Sequence, residues 1–192
     1  MSIACACLFS AFRSERLSRL AACTLLLAAV LAALPVHAAA PWREALPAAQ
    51  PIGSGNMTWL GFRIYQATLW AGQRPLDPNQ PFALQLDYKV KISRDKLAST
   101  SIEEIQRMSA APIATATLAR WKDELARAFI DVADGDELVG LYLPGRGMRL
   151  YDRERQLAEI TDPELAQAFF NIWLGQPSRD ESLRRRLLGE NP

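Results

Sequence analysis

The side chains with the most chemical potential are distributed unevenly along the 192 residues. All three cysteines, Cys5, Cys7 and Cys23, and the single histidine, His37, fall within the first 38 residues. Beyond them the reactive repertoire is carboxylates, Lys, Arg, hydroxyls and aromatics, which removes thiol nucleophiles, Cys/His metal sites and imidazole acid–base catalysis from that region. Three polar side chains then stand out because of where they lie. Arg63, Tyr65 and Thr68 lie in the run Met57 to Trp70 (MTWLGFRIYQATLW), which is mostly apolar and dense in β-branched and aromatic residues. A buried guanidinium, phenol or hydroxyl needs a partner. Two readings follow: the three groups face a cleft and hold a polar head group, or Arg63 pairs with a carboxylate and Tyr65 packs with its hydroxyl on backbone.

Other candidates carry less. Lys89, Lys91 and Arg94 follow Tyr88 as a basic run, and alternation gives Lys89 and Lys91 one solvent face. Asp134 and Asp136 flank Gly135 in a turn lacking the further ligands of a calcium loop. Arg184, Arg185 and Arg186 lie where a short helix ends and complement its dipole, with contact to anionic lipid as the rival account. Trp59, Trp70, Trp121 and Trp173 are expected in the core, where any that lined a cleft would favour a flat or apolar ligand. No metal site and no cofactor motif is read from the chain.

Residues 1–38 have the form of a secretory signal. Arg13, Arg16 and Arg19 supply a positive leading region, Thr24 to Leu34 an apolar stretch, and Val36-His37-Ala38 a small-residue cleavage site. The apolar stretch is shorter than the roughly 20 residues a membrane span needs. A lipoprotein-like Leu20-Ala21-Ala22-Cys23 precedes the apolar run instead of following it. The expectation is an exported protein, periplasmic or secreted, with no stable membrane span once the signal is removed. Removing Arg13, Arg16, Arg19 and Glu15 with it leaves 19 basic and 20 acidic residues. That balance lacks the basic footprint of a nucleic-acid partner. Some 154 residues suffice for one domain with one core. Nothing in the residues indicates an oligomeric state.

The elements that must position the candidates follow from periodicity. Residues 39–52, rich in Ala and Pro, read as a flexible leader, and the domain spans 53–190. Gly53-Ser54-Gly55 is expected to be a turn, followed by one long strand from Met57 to Trp70. Phe82 to Ile92 alternates as an antiparallel strand with a polar outer face. Ser93 caps a short turn, and Ser101 to Glu104 forms a capping box that opens a second helical segment to Met108. Ala114 to Phe129 carries an apolar stripe at helical spacing through Leu118, Trp121, Leu125 and Phe129. Glu137 to Leu143, Met148 to Tyr151 and Gln156 to Ile160 make a meander. Asp162-Pro163 opens a helix ended by Gly175, and Ser178 with Glu181 opens the last one, ended by Gly189. The order predicts an α+β fold with one antiparallel sheet covered by helices.

Four blocks in order, Leu60 to Trp70, Leu86 to Ser93, Leu138 to Gly145 and Phe169 to Gly175, resemble the exported bacterial branch of the chalcone isomerase-like proteins. The resemblance implies a curved antiparallel sheet packed on one face by helices, with a ligand cleft between them and no need of a cofactor. It also implies that function varies: plant members close a chalcone to a flavanone, whereas others bind fatty acids or have no catalytic role. Enzymatic members place an arginine in the turn before the central strand and a threonine early in that strand. Asn56 falls nearest that arginine, and Tyr65 near that threonine. An amide carries no charge to hold a phenolate, and Arg63, two residues before Tyr65, is the remaining source of positive charge. Tyr88 and Tyr142, in two of the four blocks, complete the candidate ligand contacts with Asn56, Arg63, Tyr65 and Thr68. The expected function is a non-catalytic binder of a small apolar or amphipathic molecule, fatty-acid-like or flavonoid-like. Its rivals are an intramolecular lyase (isomerase) acting on a conjugated ketone through Arg63 and Tyr65, and a scaffold protein with a filled cleft.

Overall fold

The computed structural model describes residues 40–190; the signal-like segment lies outside them. Six strands form one fully antiparallel sheet in the order of the chain: β1 (Gln50–Trp59), β2 (Phe62–Ala71), β3 (Phe82–Tyr88), β4 (Glu137–Leu143), β5 (Gly147–Tyr151) and β6 (Gln156–Ile160). A five-residue helix α1 (Pro41–Ala45) precedes β1. Helices α2 (Arg94–Met108) and α3 (Thr115–Ala128) lie between β3 and β4, and α4 (Pro163–Leu174) and α5 (Glu181–Leu187) follow β6. This is the α+β fold with one antiparallel sheet covered by helices that the element order predicts. No helix among the described residues is long and apolar enough to cross a membrane.

The first strands differ from the sequence-based expectation. The run from Met57 to Trp70 is a hairpin, turned at Leu60 (φ 50°) and Gly61 (φ 83°), and Gly53 to Asn56 lie inside β1 instead of forming a turn. Apolar residues on both sides of the turn conceal it, since no Asn or Asp marks it. The glycine at position 53 serves close packing. A Cβ there would collide with the Arg186 carbonyl oxygen, so its absence lets α5 lie directly across β1.

Side-chain alternation sends Ala67 and Leu69 of β2, Leu84, Leu86 and Tyr88 of β3, Leu138 of β4 and Leu150 of β5 to the inner face, where they meet the helices. Helix α2 is continuous where two segments were expected. Ser93 caps it by accepting the Lys96 N–H (3.3 Å), and Ser101 sits mid-helix with its hydroxyl on the Leu97 carbonyl (2.9 Å). The Ser101–Glu104 pattern is therefore interior sequence, since a serine can return its hydroxyl to the preceding turn. Asp162 opens α4 as expected, accepting from the Glu164 and Leu165 N–H groups (3.0 Å each), and also accepts from Arg120 (2.8 Å) and Trp121 (2.9 Å) of α3. One carboxylate thus caps a helix and ties two helices together. The last helix is capped by Asp180, which accepts the Leu183 N–H (2.8 Å), and not by Ser178.

The outer face of the sheet is covered too, by the segment expected to be a loose leader. Trp42 is 1% exposed and packs with Ala83, Val139, Leu141 and Tyr151. Arg43 lies over the Trp42 and Trp70 rings, 4.5 and 4.1 Å from their centroids. Residues 40–49 lack periodicity, yet a single aromatic anchor with a stacked guanidinium is enough to dock them. Beside them, Gln85 bridges Trp70 Nε1 (3.0 Å) and Glu137 (2.9 Å). Burial and the nearby Asp87 raise the Glu137 carboxyl above its ordinary value.

Candidate ligand cavity

Helix α2 packs mainly against α3 and α4 and stands off from the sheet. The gap between α2 and the inner face of β2, β3 and β4 is a cavity of about 710 Å³. Its walls are apolar: Leu84, Leu86, Leu138, Leu150, Phe129, Phe169 and Phe170 among them. At the other end of the inner face there is no such space. There Phe82, Tyr142 and Phe170 pack ring against ring, with centroids 4.9 to 5.4 Å apart.

Two tyrosines bring polar atoms inside. Tyr65 and Tyr88 face one another across β2 and β3 with rings edge to face, 5.8 Å apart. Trp173 of α4 donates its indole N–H to the Tyr65 hydroxyl (2.9 Å). Among the described residues no acceptor takes the Tyr65 proton, so that phenol offers a donor to whatever occupies the cavity. Burial pushes the Tyr65 phenol up to about 12, only partly offset by the Trp173 hydrogen bond, with Asp180 and Glu104 adding to the rise. Burial also raises Tyr88, with Tyr65 contributing. Both phenols are neutral at physiological pH and poor bases.

Charge is confined to the rim. Lys91, Lys96, Glu103, Glu104, Arg179 and Asp180 line the mouth together with Ser93, Thr100 and Ser178. Glu104 accepts from Arg107 (2.8 Å) and pairs with Arg179, so its charge is matched twice. Lys91 and Lys96 form no ion pair among the described residues.

Of the residues singled out from the sequence, the cavity gathers Tyr65 and Tyr88 and leaves the other four outside. Asn56 is exposed on β1, opposite Gln66. Thr68 is on the outer face, and Tyr142 belongs to the packed aromatic end. Arg63 is exposed at the start of β2. Plain alternation would carry Arg63 to the same side as Tyr65, but the β1–β2 register steps from Met57–Tyr65 to Thr58–Arg63, leaving Ile64 as an extra residue. At such a bulge successive side chains can turn to one side, and both Ile64 and Tyr65 line the cavity. The electrostatic role expected of Arg63 toward a cleft ligand is therefore not supported by its position. Lys91, read from alternation as a solvated edge, is at the mouth because β3 ends at Tyr88 and the chain turns toward α2. Trp173 is one of the tryptophans expected in the core that does line the cleft, whereas Glu104 and Arg179 carry no signal for the site, since each belongs to a helix or loop whose distance from β2 no local pattern encodes. Nor is Trp59 core; it is 54% exposed at the cavity's edge.

The fold and site define an α+β protein in which one antiparallel sheet and a layer of helices enclose an apolar cavity with a polar rim. Residues 53–189 match the chalcone isomerase-like family, and the chain belongs to it. It is 30% identical over 142 residues to an uncharacterized protein of Haemophilus influenzae, an alignment covering 73% of this chain and 68% of that one. Its fold is similar to that of a fatty-acid binding protein of Arabidopsis thaliana, with a TM-score of 0.57 at 10% identity, over 74% of this chain and 87% of that one.

Proposed function

We propose that this protein is a non-catalytic binder of an amphipathic molecule with a long apolar part, an acyl chain being the best fit. The observation that carries the proposal is the cavity of about 710 Å³, apolar along its length and charged only at its rim. Such a volume lies in the range of small-molecule sites. An acyl chain would lie against Leu84, Leu86, Leu138 and Phe169, with an acidic or polar head near Lys91 and Lys96. A flavonoid fits less well, because its several hydroxyls would meet only the Tyr65 and Tyr88 hydroxyls inside, and unmatched buried polar groups are costly. The similar plant structure is that of a fatty-acid binding protein, which supports the same reading. We further propose that the protein is exported through its first 38 residues and belongs to an exported bacterial branch of the family.

Catalysis on a conjugated ketone has less support. Arg63 is away from the cavity, Asn56 is exposed within β1, and the two phenols inside are held protonated. The test is extraction of the protein recovered from the producing cell, followed by mass spectrometry of the organic phase. Stoichiometric acyl-chain compounds are expected. Recovery of none, together with no thermal shift across a fatty-acid panel, would refute the binder; turnover of a chalcone that vanishes in Tyr65→Phe would establish the enzyme instead.

A further inference from the structure

The tip of the β1–β2 hairpin is built against every local preference for a solvent-exposed turn. Trp59, Leu60 and Phe62 are 54%, 83% and 71% exposed, the large apolar side chains most open to water among the described residues. Leu60 is also the one described non-glycine residue with positive φ, at a position where Asn, Asp or Gly relieves the backbone. Conformation and hydration both disfavour leucine here, and it stays 83% exposed among the described residues.

Two further features say what the tip meets. Trp59 also lines the mouth of the cavity, so the apolar tip and the apolar interior are continuous. Arg63 follows the tip directly, and Lys91 and Lys96 stand at the same mouth; none of the three has an ion-pair partner among the described residues. The rim acids are engaged elsewhere or exposed: Glu104 with Arg107 and Arg179, Asp180 as the α5 cap, Glu103 toward solvent. Exposed aromatic and aliphatic side chains bordered by free cations match the interface of a bilayer containing anionic lipid.

We propose that the Trp59–Phe62 tip is a membrane wedge that seats the cavity mouth on an anionic bilayer, so that an amphipathic ligand passes between bilayer and cavity without crossing water. The passage rests on the cavity being a binder; the seating does not.

The test uses the full chain and vesicles of phosphatidylcholine and phosphatidylglycerol with brominated acyl chains, which quench tryptophans that enter the bilayer. The first 38 residues contain no tryptophan, so an N-terminal segment in the lipid gives no signal of its own. Quenching is expected in the wild type and its loss in Trp59→Phe. The double variant Leu60→Asn/Phe62→Ser installs the favoured Asn-Gly turn pair and should fold at least as well. Its partitioning should weaken by about tenfold or more, the scale of returning large apolar side chains to water. In solution it should still bind a fluorescent acyl probe, while pick-up of that probe from vesicles slows. Absence of quenching in the wild type, equal quenching in Trp59→Phe, or unchanged partitioning of the double variant would overturn the wedge. So would a wild-type dimer, lost in the double variant, that leaves the tip unquenched. If the wild type binds no acyl probe, the ligand reading fails while the quenching still decides the seating.

Discussion

On the outer face of the sheet, Trp42 fills the space over Ala83, Val139 and Leu141, and Arg43 closes it by stacking on Trp42 and Trp70. On the inner face, α2 stands off and leaves about 710 Å³ over Leu84, Leu86 and Leu138. Neighbouring residues of the same strands, such as Leu84 and Ala83, thus meet an open cavity and a packed seal. The difference teaches that the opening is not a shortage of apolar side chains. Phe169, Phe170, Phe129 and Trp173 are present and pack through Phe169, which meets Phe170 and Trp173 edge to face and Phe129 at a tilt, framing the cavity instead of collapsing into it. What holds α2 away is its attachment to α3 and α4, and those two helices are tied to each other through Asp162.

Breaking the seal should have the largest effect. Trp42→Ala is expected to cost about 3–5 kcal/mol in a urea titration, the range for emptying a buried aromatic site, while acyl-probe binding to the folded protein is unchanged. The same enlargement on the two faces sharpens the contrast. Leu141→Trp, into the sealed side, should lose about 1–3 kcal/mol, whereas Leu86→Trp, into the cavity, should lose less stability and abolish probe binding. Equal stability losses at the two sites would mean that the cavity is not open space in solution.

The tie between α3 and α4 comes next. Asp162→Ala removes a helix cap and leaves the Trp121 N–H without its acceptor, an expected loss of about 2 kcal/mol. Burial works to raise the Asp162 carboxyl, but hydrogen bonds from the Leu165 N–H, Arg120 and Trp121 outweigh it and hold it below its ordinary 3.8. A lowered folded value means the stabilisation is present above 3.8 and is lost as pH falls through the folded value. Denaturant midpoints taken down through acid should therefore decline more steeply for the wild type than for Asp162→Asn.

The smallest effect belongs to Tyr65. Tyr65→Phe removes the acceptor for Trp173 and the donor offered to the cavity, and should cost about 1 kcal/mol in stability and a few-fold in probe affinity. Its raised value stabilises the fold fully below pH 10, with that contribution lost as pH rises from 10 through about 12. Tyrosinate absorbance should accordingly show Tyr65 and Tyr88 ionising only with unfolding.

Much of this frame was legible locally. Glu137–Leu143, Gln156–Ile160, the Asp162–Pro163 start of α4 and the Leu118–Phe129 stripe follow from period, caps and turn residues, because each is decided within a few positions. The site was legible only in part. Tyr65 stands out as a polar group in an apolar strand and Tyr88 through its block, but Arg63 groups with Tyr65 by alternation because a β-bulge leaves no mark there. Trp42 leaves no such mark, because one anchor has no period. The hairpin at Leu60–Gly61 was hidden by apolar residues at its tip, where a turn is ordinarily polar.

The central claim is that the inner-face space is a site for one apolar chain. Titration of delipidated protein with straight-chain fatty acids of increasing length, competing against a fluorescent acyl probe, tests it most directly. The account predicts one site per chain and an affinity that rises about fourfold per methylene, equivalent to ~0.8 kcal/mol each, until the cavity is full and the rise stops. Affinity independent of chain length, or no displacement at any length, would contradict it.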